Sequence, residues 1–104
     1  MLLPAQATTK EEILDEMVHK LVETGAVDDF DTFRKGIADR EESMSTGLGD
    51  GIAMPHAKNT AVKKTSVVFA KQPAGVDFDS LDGQPAKLFF MIAAKDDANE
   101  THLA

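Results

Sequence analysis

Two uninterrupted apolar runs constrain this chain more than any other feature: SVVFA at residues 66–70 and LFFMIAA at residues 88–94. A strand with one wet face alternates apolar and polar residues, whereas a strand covered on both faces reads as a continuous apolar run. Both runs therefore predict buried strands. Between them, residues 75–79 predict a short strand, and Asp82-Gly83 predicts a tight reversal into the strand at 88–94.

Upstream the apolar period changes from that of a strand to that of a helix. Ile13, Leu14, Met17, Val18, Leu21 and Val22 recur at helical spacing over residues 9–23. Thr8 or Thr9 can cap this helix, with Glu11 or Glu12 at capping-box distance, and Gly25 stops it. A second helix is predicted over residues 30–42, behind Asp28 and Asp29, which suit a helix N-terminus, with Phe33 and Ile37 as its apolar face. From residue 97 the stretch DANETHLA reads as a further helix start with Asn99 as cap. Helices followed by buried strands predict an α/β fold, a mixed β-sheet sandwiched by helices. At 104 residues with 42% hydrophobic content, the chain is expected to form a single domain over residues 1–104.

Charge and composition exclude several function classes. The 18 acidic residues against 11 basic ones leave a net charge of −7, which disfavours nonspecific binding to nucleic acid or to an anionic membrane surface. With no cysteine there is no disulfide, thiol nucleophile or thiolate metal site. The start, MLLPAQATTK, has no basic n-region, and no apolar run approaches the ~20 residues of a membrane span, so a soluble cytoplasmic chain is expected.

The chemistry concentrates in residues 46–56, TGLGDGIAMPH. Glycines at 47, 49 and 51 allow unusual backbone angles and close approach to the amides. The run lacks the Gly-Lys-Ser/Thr ending of a phosphate-binding nucleotide loop, and Ile52 stands where a dinucleotide fingerprint needs its third glycine. It ends in a short apolar strand, a proline and His56. Pro55 fixes its own φ and restricts Met54, so the backbone that delivers His56 is stiff. From the residues alone, His56 is either a presented nucleophile or a histidine that caps a strand end. Extending the Phe33 and Ile37 face of the second helix reaches Arg40, which either pairs with Glu41 or Glu42 or points into an anion-handling site. His19 lies beside the apolar stripe of the first helix and reads as a surface residue.

TGLGDGIAMPHAK resembles the phosphorylation-site motif of the fructose/mannitol type of EIIA domain in the bacterial phosphoenolpyruvate-dependent sugar phosphotransferase system. The preceding REESMST, the later VDFDSLDGQPAKLFF and the terminal THLA follow in the family's order, so the resemblance covers roughly residues 11–104. It implies that His56 is the phosphoacceptor, taking a phosphoryl group from the phosphohistidine of the carrier HPr and passing it to a cysteine of an EIIB domain. Arg40 would neutralise the phosphoryl oxygens, and His102 would be a second active-site histidine. Thr46, Gly47, Gly49 and Gly51 would line the substrate-binding loop, with Lys58 adding to the local positive field. No cofactor or metal is implied, and the membrane enters only indirectly, through EIIC. Nitrogen-related or transcriptional-regulator modules of the EIIA kind form a second class that the same residues fit. A metal site from His56, His102 and Asp50 is the weakest alternative, lacking paired histidine spacing and cysteine. Domains of this family continue past the second histidine. The resemblance thus implies a fold incomplete at the C-terminus, with the strand at 88–94 and the first helix short of cover.

Overall fold

The computed structural model describes residues 2–96. The helix start expected at Asn99 and the second histidine, His102, lie outside the described residues. In chain order the elements are β1 (Leu2–Pro4), α1 (Lys10–Glu23), α2 (Phe30–Ser43), β2 (Gly47–Gly49), β3 (Ile52–Ala53), β4 (His56–Asn59), β5 (Ser66–Val76) and β6 (Ala86–Lys95). They form the α/β architecture with a mixed sheet that the sequence predicts.

Both helices begin and end on the residues that chemistry favours there. Thr9 caps α1, its hydroxyl accepting from the Glu12 N–H at 3.2 Å. At the other end Gly25 takes φ +84°, its N–H reaching the Val22 carbonyl while Ala26 N–H reaches Leu21. This paired closure satisfies two end carbonyls and needs a left-handed residue, which glycine supplies without steric cost. Asp29 caps α2 by accepting from Thr32 N–H at 3.2 Å. The two helices are tied together by Arg34 of α2, which donates to Asp15 at 2.5 Å and to Glu11 at 2.7 Å on α1. Burial opposes the Arg34 charge, but these two carboxylates outweigh it and raise the guanidinium pKa above its ordinary value.

The sheet runs β1-β5-β6-β3-β2, with β4 also on β6. β5 and β6 are antiparallel, β1 is parallel to β5, β3 and β4 are parallel to β6, and β2 is antiparallel to β3. β6 is the central rail. On one face of the sheet Val68 and Ala70 of β5 and Phe89, Met91 and Ala93 of β6 are fully buried, in one cluster with Ile13, Met17 and Leu21 of α1 and Phe33 and Ile37 of α2. Among the described residues both helices lie over this face.

Three expectations change on contact with the structure. The apolar runs are not sealed on both sides among the described residues: Val67 is 45% exposed, and Phe69, Leu88, Phe90 and Ile92 are half-buried on the outer face. Phe69 and Phe90 cover part of each other there in an edge-to-face contact, ring centroids 4.7 Å apart. The first helix, by contrast, is not short of cover: with α2 and β5 packed against it, Ile13, Leu14, Met17, Val18 and Leu21 are buried and only Val22 of its stripe is half-buried. Residues 75–79 do not make a strand of their own. β5 continues to Val76 through a register shift after Lys71, and residues 77–79 lie outside any strand. The cause is local: Gly75 adopts φ +85° and sits so near Pro85 that a Cβ would lie 2.8 Å from the proline ring. No helix among the described residues is long and apolar enough to cross a membrane.

Candidate functional site

His56 is not carried on a loop. It is the first residue of β4, paired with Ile92 on β6, and the preceding Pro55 is buried with its carbonyl accepting from Ile92 N–H at 2.9 Å. Residues 52–59 run along one edge of β6 as β3 and then β4, interrupted only at Met54 and Pro55. Proline has no N–H to offer the ladder, so the break falls where the backbone can least pair. The break turns the Met54 carbonyl toward the imidazole, 3.0 Å from His56 Nδ1.

That contact sets the chemistry of the ring. A carbonyl only accepts, so Nδ1 carries the proton and Nε2 keeps its lone pair. On the other side Arg40 Nε donates to His56 Nε2 at 3.3 Å, which requires the same tautomer. The two contacts agree, and they present Nε2 as the basic, nucleophilic atom of a half-buried histidine. Arg40 also donates from Nη1 to the Met44 carbonyl at 3.0 Å, covering an end carbonyl of α2. Among the described residues no carboxylate pairs with Arg40. Of the two explanations the sequence left open, pairing with Glu41 or Glu42 is not the one realised. The guanidinium faces His56.

Close packing of α2 on β4 makes this meeting possible. Gly36 lies against Asn59, so that a Cβ there would come within 2.7 Å of Asn59 Nδ2. Asn59 in turn donates to the Thr32 carbonyl of α2 at 3.2 Å and accepts from Ala61 N–H at 2.9 Å. Lys58, two residues beyond His56 on β4, shares its side of the strand and is exposed.

The glycine run serves the frame of the site. β2 and β3 form a hairpin whose turn has three consecutive residues with positive φ: Gly49 at +96°, Asp50 at +55° and Gly51 at +78°. The Asp82 carboxylate holds this turn, accepting from Gln84 N–H and from Asp50 N–H, each at 3.0 Å, and these bonds lower its pKa below the usual carboxylate value. Ile52 pairs with Leu88 and His56 with Ile92, so the turn lies four residues, about 13 Å, down the sheet from His56 at ordinary strand rise. That separation keeps Gly49 and Gly51 away from the imidazole, and it keeps Asp50 from sharing a metal ion with His56. Thr46 is 3% exposed, its hydroxyl engaged with the Glu41 carboxylate. Gly47 has a different reason to be glycine: an added Cβ would lie 2.9 Å from Ser80 Cα and 3.1 Å from the Phe78 carbonyl, both backbone atoms that cannot swing aside. We expect Gly47→Ala to destabilise the protein by about 1–3 kcal/mol, as overpacked sites do. A denaturation midpoint equal to the parent's would refute this account of Gly47.

Sequence reasoning did not anticipate the Met54 carbonyl or Glu41 as parts of the site. The only written sign of the first is Pro55, which forces the ladder to break beside it. The second stands next to Arg40 in the REE stretch.

The chain matches the family model described as "Phosphoenolpyruvate-dependent sugar phosphotransferase system, EIIA 2" over residues 1–104. It is 46% identical over 101 residues to the fructose-specific EIIABC component of the phosphotransferase system of Bacillus subtilis, covering 97% of this chain but 16% of that protein. Among solved structures, the nitrogen regulatory protein IIA-Ntr of Neisseria meningitidis superposes with a TM-score of 0.82 at 28% identity, over 98% of this chain and 69% of that one. The mannitol enzyme IIA of Escherichia coli, solved in complex with phosphorylated mannitol enzyme IIB, superposes with a TM-score of 0.78 at 31% identity, over 98% and 72% respectively.

Proposed function

The chain belongs to the EIIA 2 family of the phosphoenolpyruvate-dependent sugar phosphotransferase system, and from that premise we propose that it is a cytoplasmic phosphoryl carrier with His56 Nε2 as the acceptor atom. The phosphoryl group comes from the phosphohistidine of HPr: a bond forms between Nε2 and phosphorus as the donor's N–P bond breaks, and the electron pair returns to the donor imidazole. In the second transfer an EIIB cysteine thiolate attacks the same phosphorus, and Nε2 recovers its pair. The proton stays on Nδ1, hydrogen-bonded to the Met54 carbonyl, throughout, so neither step needs a separate acid or base.

The observation that carries this reading is the division of labour around the ring, Nδ1 held by a backbone carbonyl and Nε2 facing an arginine without a carboxylate partner among the described residues. Phosphoryl transfer between two nitrogens is governed by alignment and charge stabilisation. As phosphate arrives, Arg40 exchanges its bond to Nε2 for bonds to the phosphoryl oxygens, which its planar set of donors suits. His102 is proposed as a further donor to the phosphoryl group. Thr46, Gly47, Gly49 and Gly51 enter as the frame that aims His56. HPr as donor and EIIB as acceptor are the proposed partners. The second is supported by the fused EIIABC relative and by the solved complex with phosphorylated enzyme IIB.

A regulatory role, in which the phosphorylated state controls partner binding, is the second reading, favoured by the similarity to IIA-Ntr. One experiment addresses both. Incubation with phosphorylated HPr is expected to give one acid-labile, base-stable phosphate, with ¹⁵N and ³¹P spectra assigning it to His56 Nε2. Phosphate on Nδ1, or on another residue, would defeat the proposal. Addition of an EIIB domain then separates the roles: transfer to its cysteine supports transport, and stable retention supports regulation.

A further inference from the structure

We propose that Glu41 is a positioning residue for the phosphoryl step, acting through Thr46 and Met54 on His56 and through α2 on Arg40; this rests on the reading of His56 as acceptor. Glu41 follows Arg40 in the last turn of α2 but bonds to Thr46 and Lys10. Its side chain is only 7% exposed, and it has three partners: Thr46 N–H at 3.1 Å, the Thr46 hydroxyl, and Lys10 Nζ at 3.1 Å. A carboxylate so enclosed is costly unless paired and hydrogen-bonded, and here it is both.

The bonds close a ring. Glu41 holds Thr46; the Thr46 carbonyl accepts from Met54 N–H at 3.0 Å; the Met54 carbonyl holds His56 Nδ1; and His56 Nε2 meets Arg40, the chain neighbour of Glu41. The end of the helix that carries the arginine is thus linked to the histidine twice, directly through Arg40 and indirectly from Glu41 through Thr46 and Met54. The last turn of a helix frays unless its groups are held. Without Glu41, the last turn would keep its bonds between Arg40 and Met44 but lose its tie to Thr46. Lys10 anchors the ring from outside, also pairing with Asp79 at 3.6 Å and lying 4.7 Å from the centre of the Phe78 ring. These contacts fasten the start of α1 and the segment before β6 to the same point.

Alignment errors of about 1 Å cost on the order of a hundredfold in rate. Glu41→Met is therefore expected to slow phosphate uptake from phosphorylated HPr by about 10- to 100-fold through kcat, with the donor KM unchanged because the buried carboxylate makes no part of a docking surface. Glu41→Gln, which keeps an acceptor for Thr46, should recover most of that loss. In ¹⁵N spectra of the unphosphorylated protein, Glu41→Met should shift His56 from the Nδ1–H tautomer toward a mixture. In an Arg40→Ala background the same substitution should cost less than in the parent, since one of its two routes to His56 runs through Arg40. A parental kcat, a raised KM alone, or a loss fully additive to that of Arg40→Ala would each overturn the inference. If Glu41→Met does not fold, Thr46→Val tests the same link. Should His56 prove not to be the phosphoacceptor at all, the tautomer shift still reports on the ring, so the two failures are distinguishable.

Discussion

A His56→Ala protein is expected to take up no acid-labile phosphate from phosphorylated HPr under conditions that label the parent to completion. The effect is expected to be total because the proposed acceptor atom itself is removed: the described residues place no second histidine beside it, and serine or threonine oxygens would give an acid-stable ester instead of a phosphoramidate. Folding should survive. The main-chain pairing of residue 56 with Ile92 does not involve the side chain, and His56 is only half-buried. The stability change is expected within about 1 kcal/mol, the ordinary range for a partly exposed site. Mass spectrometry before and after mild acid, with a circular dichroism melt as control, checks both halves. Equal labelling of parent and variant would remove His56 from the mechanism.

The second large effect belongs to Arg40. Replacing it by alanine should lower the transfer rate by about 10²–10³, the loss seen when one preorganised donor to a developing charge is removed. Arg40→Lys should recover only part of this, because a point charge on a flexible stem cannot match the planar donors of the guanidinium. The lost bond to the Met44 carbonyl should cost no more than about 1 kcal/mol. Rapid-quench measurement of phosphate uptake discriminates the cases. An alanine variant transferring at the parental rate would mean that the guanidinium contributes nothing to charge stabilisation.

How far the sequence revealed this site depends on which interactions are local. Helix ends were legible because Thr9, Asp29 and Gly25 act on backbone groups a few residues away. Arg40 stood out because helical spacing placed it on the face of Phe33 and Ile37. The meeting of Arg40 with His56 was not legible from spacing, since it depends on Gly36 letting α2 settle against Asn59 of β4. Short strands were the least visible elements. β1, β2 and β4 have 3, 3 and 4 residues, and each is a strand only because a partner elsewhere in the chain supplies its hydrogen bonds. The glycines invited a reading as a ligand cradle because a hairpin turn and a cradle ask the same freedom of the backbone. Only the register against β6 tells them apart.

That register has a consequence for motion. Because His56 pairs on the same strand that carries Phe89 and Met91, its main chain moves only as the interior moves, and the freedom left to the imidazole is rotation about its own side-chain bonds. On the proposed function, donor and acceptor would then meet His56 on one and the same backbone frame, and the timing of each handover would be left to the visitor.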